Sequence, residues 1–212
     1  MHTAARPTAS GVSHTPSDIP RIGPNAIIQT AGVLRDRVGA ERAATLLRRA
    51  TGYDLHALPA DMVDEREPLA LVGAVLQEFG PAHSAAIMRE AGQRTAEYLL
   101  GNRIPMLAQW VMRLAPQAVG LAILLKAMKS NAWTFAGSGQ FDYRQTTTGT
   151  ELTFGSCAMC RGMLSSVPMC DFYAGTFEHL IQVLVSETVH VVEVECIAHG
   201  GRCCRFALQG MT

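Results

Sequence analysis

Between Val191 and Leu208 the chain reads VVEVECIAHGGRCCRFAL, an apolar strand, a Gly200-Gly201 turn and a second short strand. Glu193, Cys196, Cys203 and Cys204 are spread across this hairpin, and Cys170 lies upstream of it. Thiolates and a carboxylate gathered by a tight turn suit a divalent metal, because Zn²⁺ takes soft sulfur and accepts oxygen as a fourth ligand. A shell closed by protein ligands makes such an ion structural, so the reactive chemistry is expected elsewhere. The competing reading is free buried cysteine, which behaves as a small hydrophobe in reduced interiors. Cys203 competes with Cys204 for any ion, although neighbouring strand residues point to opposite faces. Cys157-Ala158-Met159-Cys160 is a lone C-x-x-C. Without a βαβ context it reads as a structural or auxiliary-ligand pair, with a second metal and dithiol cycling as the alternatives.

These donors need a scaffold, and the chain has one. Its 212 residues are 48% hydrophobic and 17% charged, enough for a substantial core. Eighteen basic residues against 18 acidic ones leave no basic field for nucleic acid. The longest apolar run, APQAVGLAILLKAM from Ala115 to Met128, is broken by Pro116 and Lys126 and falls short of a membrane span. The first 20 residues read as a disordered tail rich in Ser, Thr and Pro, without the apolar centre of a signal peptide. The cytoplasm is therefore the expected compartment, and thiols there point to metal rather than disulfides.

From residue 21 to about 130 the periodicity is helical. Ile27, Ile28, Ala31, Leu34 and Val38 form one face, and Ala43, Leu46 and Leu47 form a second before Gly52. Pro68 opens a third helix carrying Val72, Val75 and Phe79; Gly80-Pro81 interrupts the chain, and a longer helix follows to Leu100. Ile104 to Ser130 is helical and apolar on nearly every side, which implies cover by core, by a partner subunit in a homodimer, or by a large flat ligand. Beyond Ser130 the period shortens. Trp133-Thr134-Phe135, Gln140 to Tyr143 and Glu151 to Phe154 read as hairpin strands, with Gly137-Ser138-Gly139 as a turn, and a helix from about Met169 to Leu184 precedes the closing hairpin. The expected fold is α+β: a helical N-terminal half (21–130), then an antiparallel sheet with packed helices (131–210), forming one continuous unit over 21–210.

A Cys-led helix followed by Glu-x-x-Cys, a turn and Cys resembles the 4-vinyl-reductase domain family, whose relatives include ligand-sensing domains of bacterial transcription activators and the Bet3-like trafficking subunits of the same fold. In the sensor relatives the matching positions bind a structural zinc, which implies Cys170, Glu193, Cys196 and Cys204 as the set here. The likeness runs further. From about Ile22 to Leu208, through IGPNAIIQ, GNRIP and ECIAHGGRCCRFAL, the chain is similar to the J-protein family of bacteriochlorophyll biosynthesis. That resemblance implies work on magnesium protoporphyrin or divinyl protochlorophyllide, alongside other enzymes of the pathway, with a place at the periphery of the photosynthetic membrane as one option. The family name asserts reduction of a vinyl group to ethyl.

Reduction needs an electron source, and the residues name none. No strand leads into G-x-G-x-x-G, the cysteine spacing is not that of a ferredoxin, and zinc carries no electrons. Three readings stay open: a magnesium-tetrapyrrole carrier or accessory factor, the reductase itself with borrowed reducing power, and a ligand-responsive dimeric scaffold. For the first, Trp110, with Met106 and Met112, would cover the macrocycle, and Arg103 and Arg113 would pair with its carboxylates. Of the histidines that could ligate magnesium axially (His56, His83, His179 and His190), His83 has the best context, on a helix near the apolar segment.

Overall fold

The computed structural model describes residues 19–147 and 149–211. Most of the expected N-terminal tail therefore lies outside the described residues. Two short strands, β1 (Arg21–Ile22) and β2 (Val63–Asp64), pair antiparallel and bracket helices α1 (Asn25–Val38) and α2 (Ala40–Thr51). Ile27, Ala31 and Leu34 of α1 and Ala43, Leu46 and Leu47 of α2 are buried at helical spacing. Gly52 ends α2 in the left-handed conformation that a residue without Cβ adopts freely.

The two helices expected around Gly80-Pro81 meet in one long element, α3 (Arg66–Asn102). Gly80 has φ 73 and ψ 172, so the axis kinks there. The second half of α3 crosses α6 (Asp171–Leu184) at a backbone-to-backbone approach. A Cβ on Gly92 would lie 2.1 Å from the Phe172 carbonyl oxygen, and one on Gly175 would lie 2.2 Å from that of Arg89. Two glycines thus set how closely the N-terminal helices hold the helix that begins at Cys170.

Four strands form the antiparallel sheet in the order β3 (Phe141–Thr146), β4 (Gly149–Phe154), β6 (Cys204–Gln209), β5 (His190–Glu195). Leu152, Phe154, Phe206 and Leu208 are buried under α6 beside Phe177, Leu180 and Ile181. Phe154, Tyr173 and Phe177 stack with near-parallel rings at 4.5 to 6.1 Å. One hydrophobic core runs from Ile22 to Leu208 through both halves, in keeping with the α+β expectation.

Two local expectations are corrected. Trp133-Thr134-Phe135 is not a strand: Ala132–Thr134 is a 3-10 turn, and Phe135 packs edge-on against Phe141 and Tyr173. Aromatic composition mimicked a strand there, while Gly137-Ser138-Gly139 serves as a dock for the buried Glu65, whose carboxylate accepts from Ser138 and pairs with Arg161. The apolar stretch after Ile104 is two helices, α4 (Met106–Leu114) and α5 (Gln117–Ser130), broken at Ala115-Pro116. Helix α5 buries Leu121, Leu124, Leu125 and Met128, whereas α4 buries only Met112. Burial on all sides, expected from composition, is therefore absent from α4. No described helix is long and apolar enough to cross a membrane.

Candidate metal centre

Five cysteines and Glu193 converge beneath the sheet. Cys170 caps the N-terminus of α6, Cys157 and Cys160 stand on a tight turn after β4, and Cys204 opens β6 opposite Phe154. Glu193 and Cys196 come from β5 and its end, three residues apart. On a regular strand such residues face opposite ways. A register shift between Glu193 and Glu195 breaks the alternation, so both donors turn inward. The hairpin turn is pinned by the Gly201 amide donating to the Cys196 carbonyl at 2.8 Å, and a Cβ on Gly201 would meet that oxygen at 2.9 Å.

The sulfur atoms lie at ligand-shell spacing: Cys157 to Cys170 3.5 Å, Cys160 to Cys204 3.3 Å, Cys170 to Cys204 3.6 Å and Cys196 to Cys160 4.0 Å. Thiolates at about 2.3 Å from a tetrahedral zinc are about 3.8 Å apart, so the cluster needs little adjustment to close on an ion. Two overlapping groups have donor atoms within 4.8 Å of one another: Cys157, Cys160, Cys170 and Cys204, and Cys170, Glu193, Cys196 and Cys204. The second is the set implied by the family resemblance. The first adds the C-x-x-C pair, a signal present in the sequence but too short to be placed beside Cys170 without the fold. Cys203 faces the other side of the sheet, in a groove with Arg202, Arg205 and Glu195, which removes it as a competitor.

The donors are electrostatically primed. Burial pushes the Cys157 thiol up, and contacts with neighbouring thiols, Cys157 first, push Cys170 up. Cys160 is driven well down by the thiols that donate to it, Cys157 first, so the ion-free cluster concentrates negative charge on one sulfur. Burial raises the Glu193 carboxyl to about 8. Its Oε2 accepts from the Cys170 amide at 2.8 Å, while its Oε1 is sealed off with no hydrogen-bond partner. A soft donor set with one orphaned buried oxygen fits a zinc ion.

A second feature lies at the far end of α3. Arg103, Trp110 and Arg113 line one cavity of about 560 Å³ with Leu100, Met106 and Gln109. Met106, Leu107, Trp110, Val111 and Leu114 are exposed together on α4, Trp110 by 58%. Neither arginine pairs with a carboxylate among the described residues: Arg103 stacks over Tyr98 at 5.9 Å, and Arg113 Nε donates to the Val183 carbonyl. The fold brings these three residues together but separates them from His83. That histidine is exposed just after the Gly80 kink, roughly 30 Å along α3 from Arg103. Closeness in sequence to the apolar segment did not translate into closeness in space, because a long helix intervenes.

Residues 150–209, which carry β4, α6 and the closing hairpin, match the model of the 4-vinyl-reductase domain. Two relatives extend the likeness over nearly the whole chain. The "Bacteriochlorophyll synthase 23 kDa chain" of Cereibacter sphaeroides is 36% identical over 190 residues, covering 89% of this chain and 90% of that protein. Its namesake from Rhodobacter capsulatus is 34% identical over 201 residues, covering 94% and 92%. The chain belongs to this bacteriochlorophyll synthase 23 kDa chain family. Solved structures of similar fold include an H-NOX protein from S. oneidensis (TM-score 0.58, 12% identity, 90% of this chain and 97% of that one) and one from K. algicida (TM-score 0.57, 13% identity, 88% and 96%).

Proposed function

We propose that the chain is a carrier or accessory factor of bacteriochlorophyll synthesis that holds a magnesium tetrapyrrole, magnesium protoporphyrin or divinyl protochlorophyllide, against helix α4. A zinc ion on Cys170, Glu193, Cys196 and Cys204 fixes the hairpin to α6 and so stiffens the scaffold behind it. The carrying observation is the pairing of an uncovered apolar helix face with two arginines that have no carboxylate partner among the described residues. A flat macrocycle needs apolar cover for its plane, which Met106, Trp110 and Leu114 offer, and cations for its carboxylates, which Arg103 and Arg113 offer. Two further facts support the reading: the names of the 34–36% identical relatives, and the titles of fold neighbours that speak of heme distortion and porphyrin distortion.

Reductase activity is the alternative, and the family name favours it. Titrating the full chain with magnesium protoporphyrin, then adding divinyl protochlorophyllide with a reductant and following mass, separates the two. Saturable binding with no gain of two hydrogens supports the carrier. Conversion of vinyl to ethyl overturns it in favour of the enzyme.

A further inference from the structure

The cluster holds more donors than one zinc can use. A tetrahedral ion takes four ligands, yet five buried or nearly buried thiols and one carboxylate crowd the same few ångströms. If one ion took the four sulfurs of Cys157, Cys160, Cys170 and Cys204, Glu193 Oε1 would stay buried without a partner. With one ion on Cys170, Glu193, Cys196 and Cys204, the fully buried Cys157 and Cys160 would abut its thiolates at 3.3 to 3.5 Å with no ion of their own.

The two donor groups share Cys170 and Cys204, and these two sulfurs stand 3.6 Å apart. That is close to the edge of a zinc–thiolate tetrahedron, about 3.8 Å. Two tetrahedra joined along this edge use every donor once, except for the two bridging sulfurs, which serve both ions.

We propose that the centre is dinuclear, with two Zn²⁺ ions bridged by the Cys170 and Cys204 thiolates. Cys157 and Cys160 complete one ion, and Glu193 and Cys196 complete the other. The charge is favourable: six negative ligand charges against four positive ones leave the same net charge of minus two as a single zinc on four thiolates. The second ion thus adds no uncompensated charge to the interior, and it removes the orphaned oxygen. Loading must widen the 4.0 Å contact between Cys160 and Cys196, since these terminal ligands come to sit on different ions. The second ion would also tie the 157–160 turn, and through adjacent Arg161 the buried Glu65 of the N-terminal half, to the closing hairpin. This inference extends the single-zinc reading above and can fail without it.

The test is stoichiometry and coupling in the full chain. Chelator-treated protein is titrated with Zn²⁺ under reducing conditions and the bound metal counted by native mass spectrometry, expecting two equivalents. Titration with Co²⁺ should give a paramagnetic signal at one equivalent that weakens at the second, because bridging thiolates couple the two ions. Paired substitutions Cys157→Ser with Cys160→Ser, or Glu193→Gln with Cys196→Ser, should each reduce binding from two ions to one. One equivalent in the wild type overturns the dinuclear centre and leaves the mononuclear site standing; none overturns both. Two equivalents without coupling place the second ion elsewhere and also overturn it, a result that needs no variant to fold.

Discussion

Glu193 offers a quantitative handle on the metal centre, because the ion-free and loaded proteins should respond to pH with opposite signs. In the ion-free fold, burial raises its carboxyl from 4.5 to about 8. A group with a raised folded pKa contributes nothing adverse below pH 4.5. As pH rises toward 8 the folded chain keeps a proton that the unfolded chain releases, and stability falls by up to about 1.4 kcal/mol per pH unit. The full span is at most about 5 kcal/mol, and partial exposure of the residue reduces this to roughly 2–4 kcal/mol. Glu193→Gln removes the titration while keeping the shape of the protonated acid. Urea unfolding of chelator-treated protein between pH 4.5 and 8.5 should therefore show wild type losing stability relative to the variant, with the gap opening mainly between pH 5 and 8. With zinc bound the sign reverses, since ligands must shed protons to coordinate and stability rises with pH. Parallel wild-type and variant curves in the ion-free state would refute the placement of this carboxyl in a dry site.

The remaining expectations are simpler to test. Gly92→Ala or Gly175→Ala drives a Cβ into a carbonyl across the α3–α6 crossing, so either should lower unfolding free energy by about 1–3 kcal/mol or more, read by urea titration. Chelation should lower the melting temperature and expose Cys157, Cys160, Cys170, Cys196 and Cys204 to a thiol reagent together, whereas Cys203, half-buried on the other face, should react in both states. Trp110→Ala should weaken magnesium protoporphyrin binding about tenfold or more, and loss of Arg103 or Arg113 should weaken it by about 1.5–3 kcal/mol each, measured by absorbance titration. His83→Ala should leave that affinity unchanged.

Where sequence and structure part, the reasons are geometric. Apolar spacing located α1, α2 and α6 because each buries one stripe against one neighbour, and Cys170, Cys196 and Cys204 could be grouped because a two-glycine turn folds the hairpin back. Glu193 reached the site through a bulge, and no periodicity announces an extra residue in a strand. Cys157 and Cys160 are distant in sequence from Cys204 and meet it only because β4 lies beside β6. Trp133 to Phe135 has strand-like composition, but its place was decided by the aromatic core around Phe135. In the apolar stretch after Ile104 composition said buried; Pro116 split it, and only α5 found cover.

Light gives the most direct measurement of where the tetrapyrrole sits. A bound magnesium porphyrin, briefly illuminated in air, oxidises the methionine and tryptophan side chains it touches, and peptide mass spectrometry locates them. Oxidation concentrated at Met106 and Trp110, with Trp133 and the buried Met88 and Met159 spared, is the expected pattern. Modification spread evenly over the surface, or focused away from residues 100–114, would contradict a pigment precursor lying against α4.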